Sequence, residues 1–132
     1  MVNLFTIKNN VEFRNKWVEK KLKSLSDGLK ILDAGCGPQN YRKFCEHLDY
    51  KSQDFAQYDG KGNGEGLHNE DWEYGEIDYI GNIWDIEEKD NTFDAILCTE
   101  VIEHIPYPNE TIKEFSRLLK SGGGINDNST IF

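Results

Sequence analysis

The stretch Ile31-Leu32-Asp33-Ala34-Gly35-Cys36-Gly37 decides the reading of this chain. The apolar residues from Leu29 onward predict a buried strand, and the glycines after it allow a sharp turn. A strand ending in acid-x-Gly-x-Gly sets bare backbone at the carboxyl edge of a parallel sheet, where open α/β sheets bind their ligands. The carboxylate of Asp33 can accept hydrogen bonds there from a ligand amine or from neighbouring amides. A dinucleotide fingerprint is broken, because Gly35-Cys36-Gly37-Pro38-Gln39-Asn40 lacks the third glycine and Pro38 stiffens the turn. No Gly-Lys-Ser/Thr follows, which excludes a phosphate-cradling P-loop. A tight strand-to-helix turn without a ligand is the plainer alternative.

Working outward, Asp54 lies twenty-one residues after Asp33, at the end of a strand predicted over Tyr50–Phe55. An acid at that spacing and position suits the two hydroxyls of a ribose. Upstream, Val11, Trp17, Val18, Leu22 and Leu25 fall at helical spacing, and Ser26-Asp27-Gly28 ends the helix with the glycine as its cap. Lys16, Lys20, Lys21 and Lys23 read as a solvated face. Downstream, a short helix is expected over Tyr41–Leu48, a loop over Asp59–Gly66, and strands over Glu76–Ile80 and Phe93–Cys98. A helix follows over Glu110–Lys120, with Ile112, Phe115, Leu118 and Leu119 on one side, closed by Ser121-Gly122-Gly123. Strands alternating with helices predict a parallel sheet wound by right-handed crossovers.

The chain has 132 residues and reads as one domain: an N-terminal segment and helix over 1–28, a core over 29–123 and an atypical tail over 124–132. Sixteen aromatic residues suffice for a folded core. A net charge of −9 argues against bulk nucleic acid and against an anionic membrane surface. The apolar runs fall far short of the roughly 20 residues needed to span a bilayer. Met1–Thr6 does not read as a secretory signal. Three cysteines, Cys36, Cys45 and Cys98, are an odd count without framework spacing, which points to reduced thiols and a cytoplasmic setting.

With these residues placed, the chain resembles the class I S-adenosylmethionine-dependent methyltransferases, in the small-molecule branch often called type 11. The matching segments are Ile31–Gly37, Asp54, Asp90–Cys98, Thr99-Glu100-Val101-Ile102-Glu103-His104 and Arg117-Leu118-Leu119-Lys120-Ser121-Gly122-Gly123, in the family's order. Ser121 stands where the family has proline. The resemblance implies a Rossmann-like α/β sheet with flanking helices and S-adenosyl-L-methionine as cofactor. It implies methyl transfer to a small molecule or a cell-surface precursor. Asp33, Gly35, Cys36 and Gly37 would line the methionine and ribose part of the cofactor, Asp33 near its amino group. Asp54 would hold the ribose hydroxyls and Phe55 would pack on the adenine. The family's adenine acid falls, counting back from Phe93-Asp94, on Asn82, followed by Ile83; Asp85 is the rival position. Cys98 and Thr99 would border the methyl-transfer centre.

A hydroxyl acceptor also needs a base, for which His104 is the candidate; a helix-start residue bonded to backbone is its other reading. Glu100, Glu103 and His104 could present a metal site on one helical face, but no metal is expected. A calcium loop at Asp59, Asn63, Gly64 and Glu70 is spoiled by Lys61. A zinc fragment at Cys36, Cys45 and His47 lacks a second ligand pair.

The tail Gly124–Phe132 departs from the family, because Asn126-Asp127-Asn128 is turn chemistry where an apolar fifth strand belongs. An incomplete sheet of about four strands of the usual seven is therefore expected, in a truncated form of a longer enzyme or a natural short relative. The edge of Phe93–Cys98 would then need covering by a second copy, a partner chain or the tail itself. A catalytically silent cofactor-binding module is the alternative to an active enzyme.

Overall fold

The computed structural model describes residues 4–55, 76–99, 104–120 and 130–131. Helix α1 (Leu4–Ser24) leads into β1 (Lys30–Ala34), and β2 (Asp49–Asp54), β3 (Tyr79–Ile80), β4 (Ala95–Cys98), α2 (Pro108–Leu118) and β5 (Thr130–Ile131) follow. One sheet holds the strands in the order β3-β2-β1-β4-β5, and every pairing is parallel. The chain winds outward from β1 to β3, then crosses back and lays β4 on the other side of β1. That reversal opens a crevice at the carboxyl ends of the strands. The Rossmann-like α/β sheet expected from the sequence is the observed one. It has five strands among the described residues instead of about four, because Thr130–Ile131 of the tail pairs with Ile96 and Leu97 of β4.

Strand alternation divides the core. Ile31, Ala95 and Leu97 face Val18, Leu22 and Cys45, while Leu32, Ala34, Ile96 and Cys98 face Phe115 and Leu118 of α2 together with Phe93, Ile83, Ile86 and Ile105. β1 and β4 are therefore covered on both faces, which is why Ala95–Cys98 reads as an unbroken apolar run and β1 as one broken inside only by Asp33.

Several elements differ from their sequence expectation. α1 begins seven residues before Val11, since no Gly or Pro interrupts 4–24. It ends at Ser24, whose hydroxyl donates to the Lys21 carbonyl at 2.6 Å. Gly28 is no helix cap: at φ +83° it turns the chain into β1 and donates its N–H to the His47 carbonyl at 2.8 Å. The helix expected over Tyr41–Leu48 is a single 3-10 turn at Arg42–Phe44 within a string of i→i−3 bonds running from Gln39 to Leu48. The glycine turn uses up much of the short connection, leaving no length for a crossover α-helix.

β3 is two residues long, because Asp78 bonds to the Ser52 side chain and backbone where a ladder would otherwise continue. Phe93 pairs not with the sheet but with Leu119, so the chain leaving α2 lies beside the entry to β4. α2 starts at Pro108 and buries Thr111, Glu114, Phe115 and Leu118. Ile112, expected inside, is 48% exposed. Ser121-Gly122-Gly123 and residues 124–129 lie outside the described residues.

Candidate functional site

At the end of β1 the chain turns through Gly35 at φ +68°, Gly37 at φ +52° and Gln39 at φ +60°. The turn is tied to the end of β2. Gly35 N–H donates to the Gln53 side-chain oxygen at 2.9 Å, Cys36 N–H to the Gln53 carbonyl at 2.8 Å, and Gly37 N–H to Oδ2 of Asp54 at 2.8 Å. Beyond β3, Gly81 N–H donates to the Asp54 carbonyl at 3.0 Å and the Gly81 carbonyl accepts from Gln53 Nε2 at 2.7 Å. Two loops from opposite sides thus converge on the last two residues of β2.

A cleft of about 300 Å³ opens between them. It brings together six residues singled out from the sequence: Gly35, Asp54, Phe55, Asn82, Ile83 and His104. Four more were not foreseen: Gln53, Trp84, Ile105 and Pro106. Phe55 is 51% exposed, so its ring is available to a flat ligand. Trp84 packs edge-on against Tyr107 with ring centroids 4.8 Å apart, which steadies that wall. Among the described residues Asp54 is the one acid in the lining, and no Lys or Arg joins it. Larger hollows lie outside β3, beside Asp78, Asp85 and Glu87, and over the 3-10 turn, beside Arg42, Lys43 and Glu46; neither reaches Gly35 or Asp54. Asp85, the rival to Asn82, faces the first of these and not the cleft.

Asp33, expected near the cofactor's amino group, stands at the carboxyl end of β1, beneath the glycine turn and outside the lining of this cleft. It is buried on the α1 side of the sheet and accepts the Tyr50 hydroxyl through Oδ2. Burial pushes its carboxyl up to about 7 and the charge of Asp54 adds to this, while the Tyr50 bond pulls the other way. Cys36 and Gly37 stand in the turn but not in the lining, and the buried Cys98 and half-buried Thr99 end β4 beside the crevice without lining the cleft. Burial, reinforced by Asp33, pushes the thiols of Cys36 and Cys45 up to about 12. Neither is an activated nucleophile.

His47 shares a hydrogen bond of 3.0 Å with the Leu25 carbonyl. Among the described residues no group of three or more His, Cys, Asp or Glu is placed to hold a metal. Glu100 and Glu103 lie outside the described residues, as does the Asp59–Glu70 loop. No helix among the described residues is long and apolar enough to cross a membrane.

Gln53 carried no sequence signal beyond its position beside Asp54. Trp84, Ile105 and Pro106 could have been suspected as apolar neighbours of Ile83 and His104.

Comparison with known proteins gives a match of residues 10–125 to a family model described as a methyltransferase domain. A mitochondrial ubiquinone biosynthesis O-methyltransferase of Dictyostelium discoideum is 31% identical over 113 residues, covering 75% of this chain and 34% of that protein. A sterol 24-C-methyltransferase of Yarrowia lipolytica is 28% identical over 113 residues, covering 75% of this chain and 27% of that protein. The chain thus spans about a third of these relatives' length. Among solved structures, the YcgJ protein of Bacillus subtilis superposes with a TM-score of 0.62 at 16% identity, covering 83% of this chain and 47% of that one. That likeness concerns the fold.

Proposed function

The chain belongs to the methyltransferase-domain family, whose cofactor is S-adenosylmethionine, and from that premise we propose that it transfers a methyl group to a small-molecule or cell-surface-precursor acceptor. The observation that carries the reading is the cleft at the carboxyl edge of β2, with Asp54 fastened to the glycine turn at Gly37 on one side and Asn82 on the other.

The lining suits an adenosyl group. Asp54 offers a carboxylate to a ribose diol, the Asn82 amide can accept from an exocyclic amine, and Phe55, Ile83 and Trp84 offer apolar surface to a purine. The bare backbone of Gly35 and Gly37 leaves room for the remainder, and among the described residues one acid with no Lys or Arg in the lining favours a positively charged ligand. When bound, the sulfonium supplies an already activated methyl group. The chain's own work is to hold the donor, align an acceptor and exclude water. Cys98 and Thr99 border the reacting region, and His104 is placed to take a proton from a hydroxyl acceptor. Asp33, beneath the turn that carries Gly35 and Gly37, is in this reading the acid nearest the cofactor's amino group.

The named relatives are an O- and a C-methyltransferase of small molecules, which supports a small-molecule acceptor without choosing one. A second reading is cofactor binding without turnover by this chain alone. It is supported by the shortness of β5, which among the described residues pairs with Ile96 and Leu97 of β4, so that a second copy or a partner chain is the proposed cover for the remaining edge. Calorimetric titration with S-adenosylmethionine and S-adenosylhomocysteine tests the shared core of both. Binding of neither at millimolar concentration contradicts the cofactor site. Binding without methyl transfer across a broad acceptor panel favours the second reading.

A further inference from the structure

Gln53 is the penultimate residue of β2 and 1% exposed, so water cannot replace its hydrogen bonds. Its side chain joins the two walls of the cleft. Oε1 accepts the Gly35 N–H at 2.9 Å and Nε2 donates to the Gly81 carbonyl at 2.7 Å. Gly35 belongs to the turn after β1, and Gly81 opens the bend after β3 that delivers Asn82 and Ile83. A carboxamide has a donor and an acceptor on one carbon, which this bridge requires. A carboxylate of the same shape offers two acceptors, one of them aimed at the Gly81 carbonyl. A thioether of similar length offers no donor and only a weak acceptor.

We propose that Gln53 is a positioning residue whose amide sets the separation of the glycine turn from the Gly81–Ile83 wall, and thereby the affinity of the cleft for its adenosyl ligand. The inference rests on the cofactor reading above and goes beyond it by assigning a strand residue that the family's sequence pattern does not mark. Gln53 acts through both walls at once, so loss of either half of the bridge loosens the site.

The test is Gln53→Glu beside Gln53→Met, titrated with S-adenosylhomocysteine from pH 5 to 8.5, with thermal unfolding of the free proteins over the same range. A neutral glutamic acid donates to Gly81 and accepts from Gly35, as glutamine does. A glutamate anion faces the Gly81 carbonyl without a proton. Its carboxyl is therefore raised, and Q53E matches the wild type at low pH and falls behind as pH rises through that value. The titratable neighbours Asp33 and Cys36 on the β1 side, Asp54 beside it and His104 across the cleft are common to both proteins. The ratio of affinities removes what they contribute in common, and the charges of Asp54 and Asp33 raise the introduced carboxyl further, in the same direction as the lost proton to Gly81.

We expect Q53E to bind nearly as well as wild type at pH 5 and about tenfold more weakly at pH 8.5, with Q53M weaker at every pH. The Tm deficit of Q53E in the free protein narrows in the same direction. A ratio independent of pH, or a Tm deficit that does not close at low pH, overturns the assignment. If the wild type itself fails to bind, the cofactor reading falls, while the Tm series still decides whether the Gln53 bridge exists.

Discussion

The Tyr50 hydroxyl donates to Oδ2 of Asp33 in the interior, beneath the turn whose first glycine, Gly35, lines the cleft. Desolvation raises the Asp33 carboxyl from its ordinary value of 3.8 to about 7, and Asp54 adds to this, while Tyr50 opposes it. A carboxyl raised by folding binds more protons in the native than in the unfolded state between those values, so its contribution to stability declines as pH rises across that window and is level above it. Tyr50→Phe removes the hydroxyl that favours the charged form of Asp33. It should cost about 1–2 kcal/mol at pH 8 and less at pH 5. Asp33→Asn, which keeps an acceptor for Tyr50, should stabilise at pH 8 and by clearly less at pH 5, which lies only a little above the unfolded value of 3.8. Urea unfolding at both pH values checks the two variants; equal effects at both pH values would refute the account of Asp33.

A second prediction concerns the wall of the cleft opposite the glycine turn. Arg117 of α2 donates to Glu114, to Asp90 and to the carbonyls of Ile86 and Glu88, and Glu114 accepts the Ile86 N–H at 2.6 Å. One guanidinium therefore pins the segment that follows Asn82 and Trp84. Arg117→Ala leaves the buried Glu114 without its cation and should destabilise by roughly 2–4 kcal/mol, and Arg117→Lys should recover only part, since one ammonium cannot meet this fork. Glu114 is held below its usual range, chiefly by the Arg117 bond, so its contribution is present above 4.5 and fades as pH falls through its folded value. Denaturant midpoints at pH 7 and pH 3.5 check both statements.

The cysteines give a third. With the Cys36 and Cys45 thiols pushed up to about 12, both should react with an aromatic disulfide at pH 8 at least about tenfold slower than a free thiol. Addition of urea should restore the ordinary rate. Rapid labelling of the folded protein at either position would show that the interior is open there.

His104 lines the cleft without being needed to build it. His104→Gln should leave affinity for S-adenosylhomocysteine within about threefold while lowering methylation of hydroxylated acceptors by roughly a hundredfold or more, as loss of a general base does. Parallel loss of binding and turnover would return His104 to a purely structural part.

How far the sequence foretold these features depends on how local their causes are. β1, its glycine turn and β4 were legible because Ile31–Gly37 and Ala95–Cys98 carry their own apolar runs and breakers. Asp54 was legible through spacing, since β2 ends one crossover after β1. The 3-10 segment was not, because Tyr41, Phe44, Cys45 and Leu48 satisfy three- and four-residue periods alike. The inner face of α2 was misjudged because Glu114 is polar in sequence and buried in fact, its charge met by Arg117. The Tyr50 partner of Asp33 was not legible, because seventeen residues separate them. Trp84, Ile105 and Pro106 reach the cleft from two separate loops, and Gln53 matters through partners eighteen residues before it and twenty-eight after it.

The claim that Asp54 and the glycine turn form the two ends of one adenosyl site is tested most directly by titrating S-adenosylhomocysteine into the wild type and Asp54→Ala. The wild type should bind with a one-to-one stoichiometry, and the variant should bind at least about tenfold more weakly, having lost a charge-assisted acceptor and the anchor of Gly37. Equal affinities, or no binding by the wild type at millimolar ligand, would contradict it.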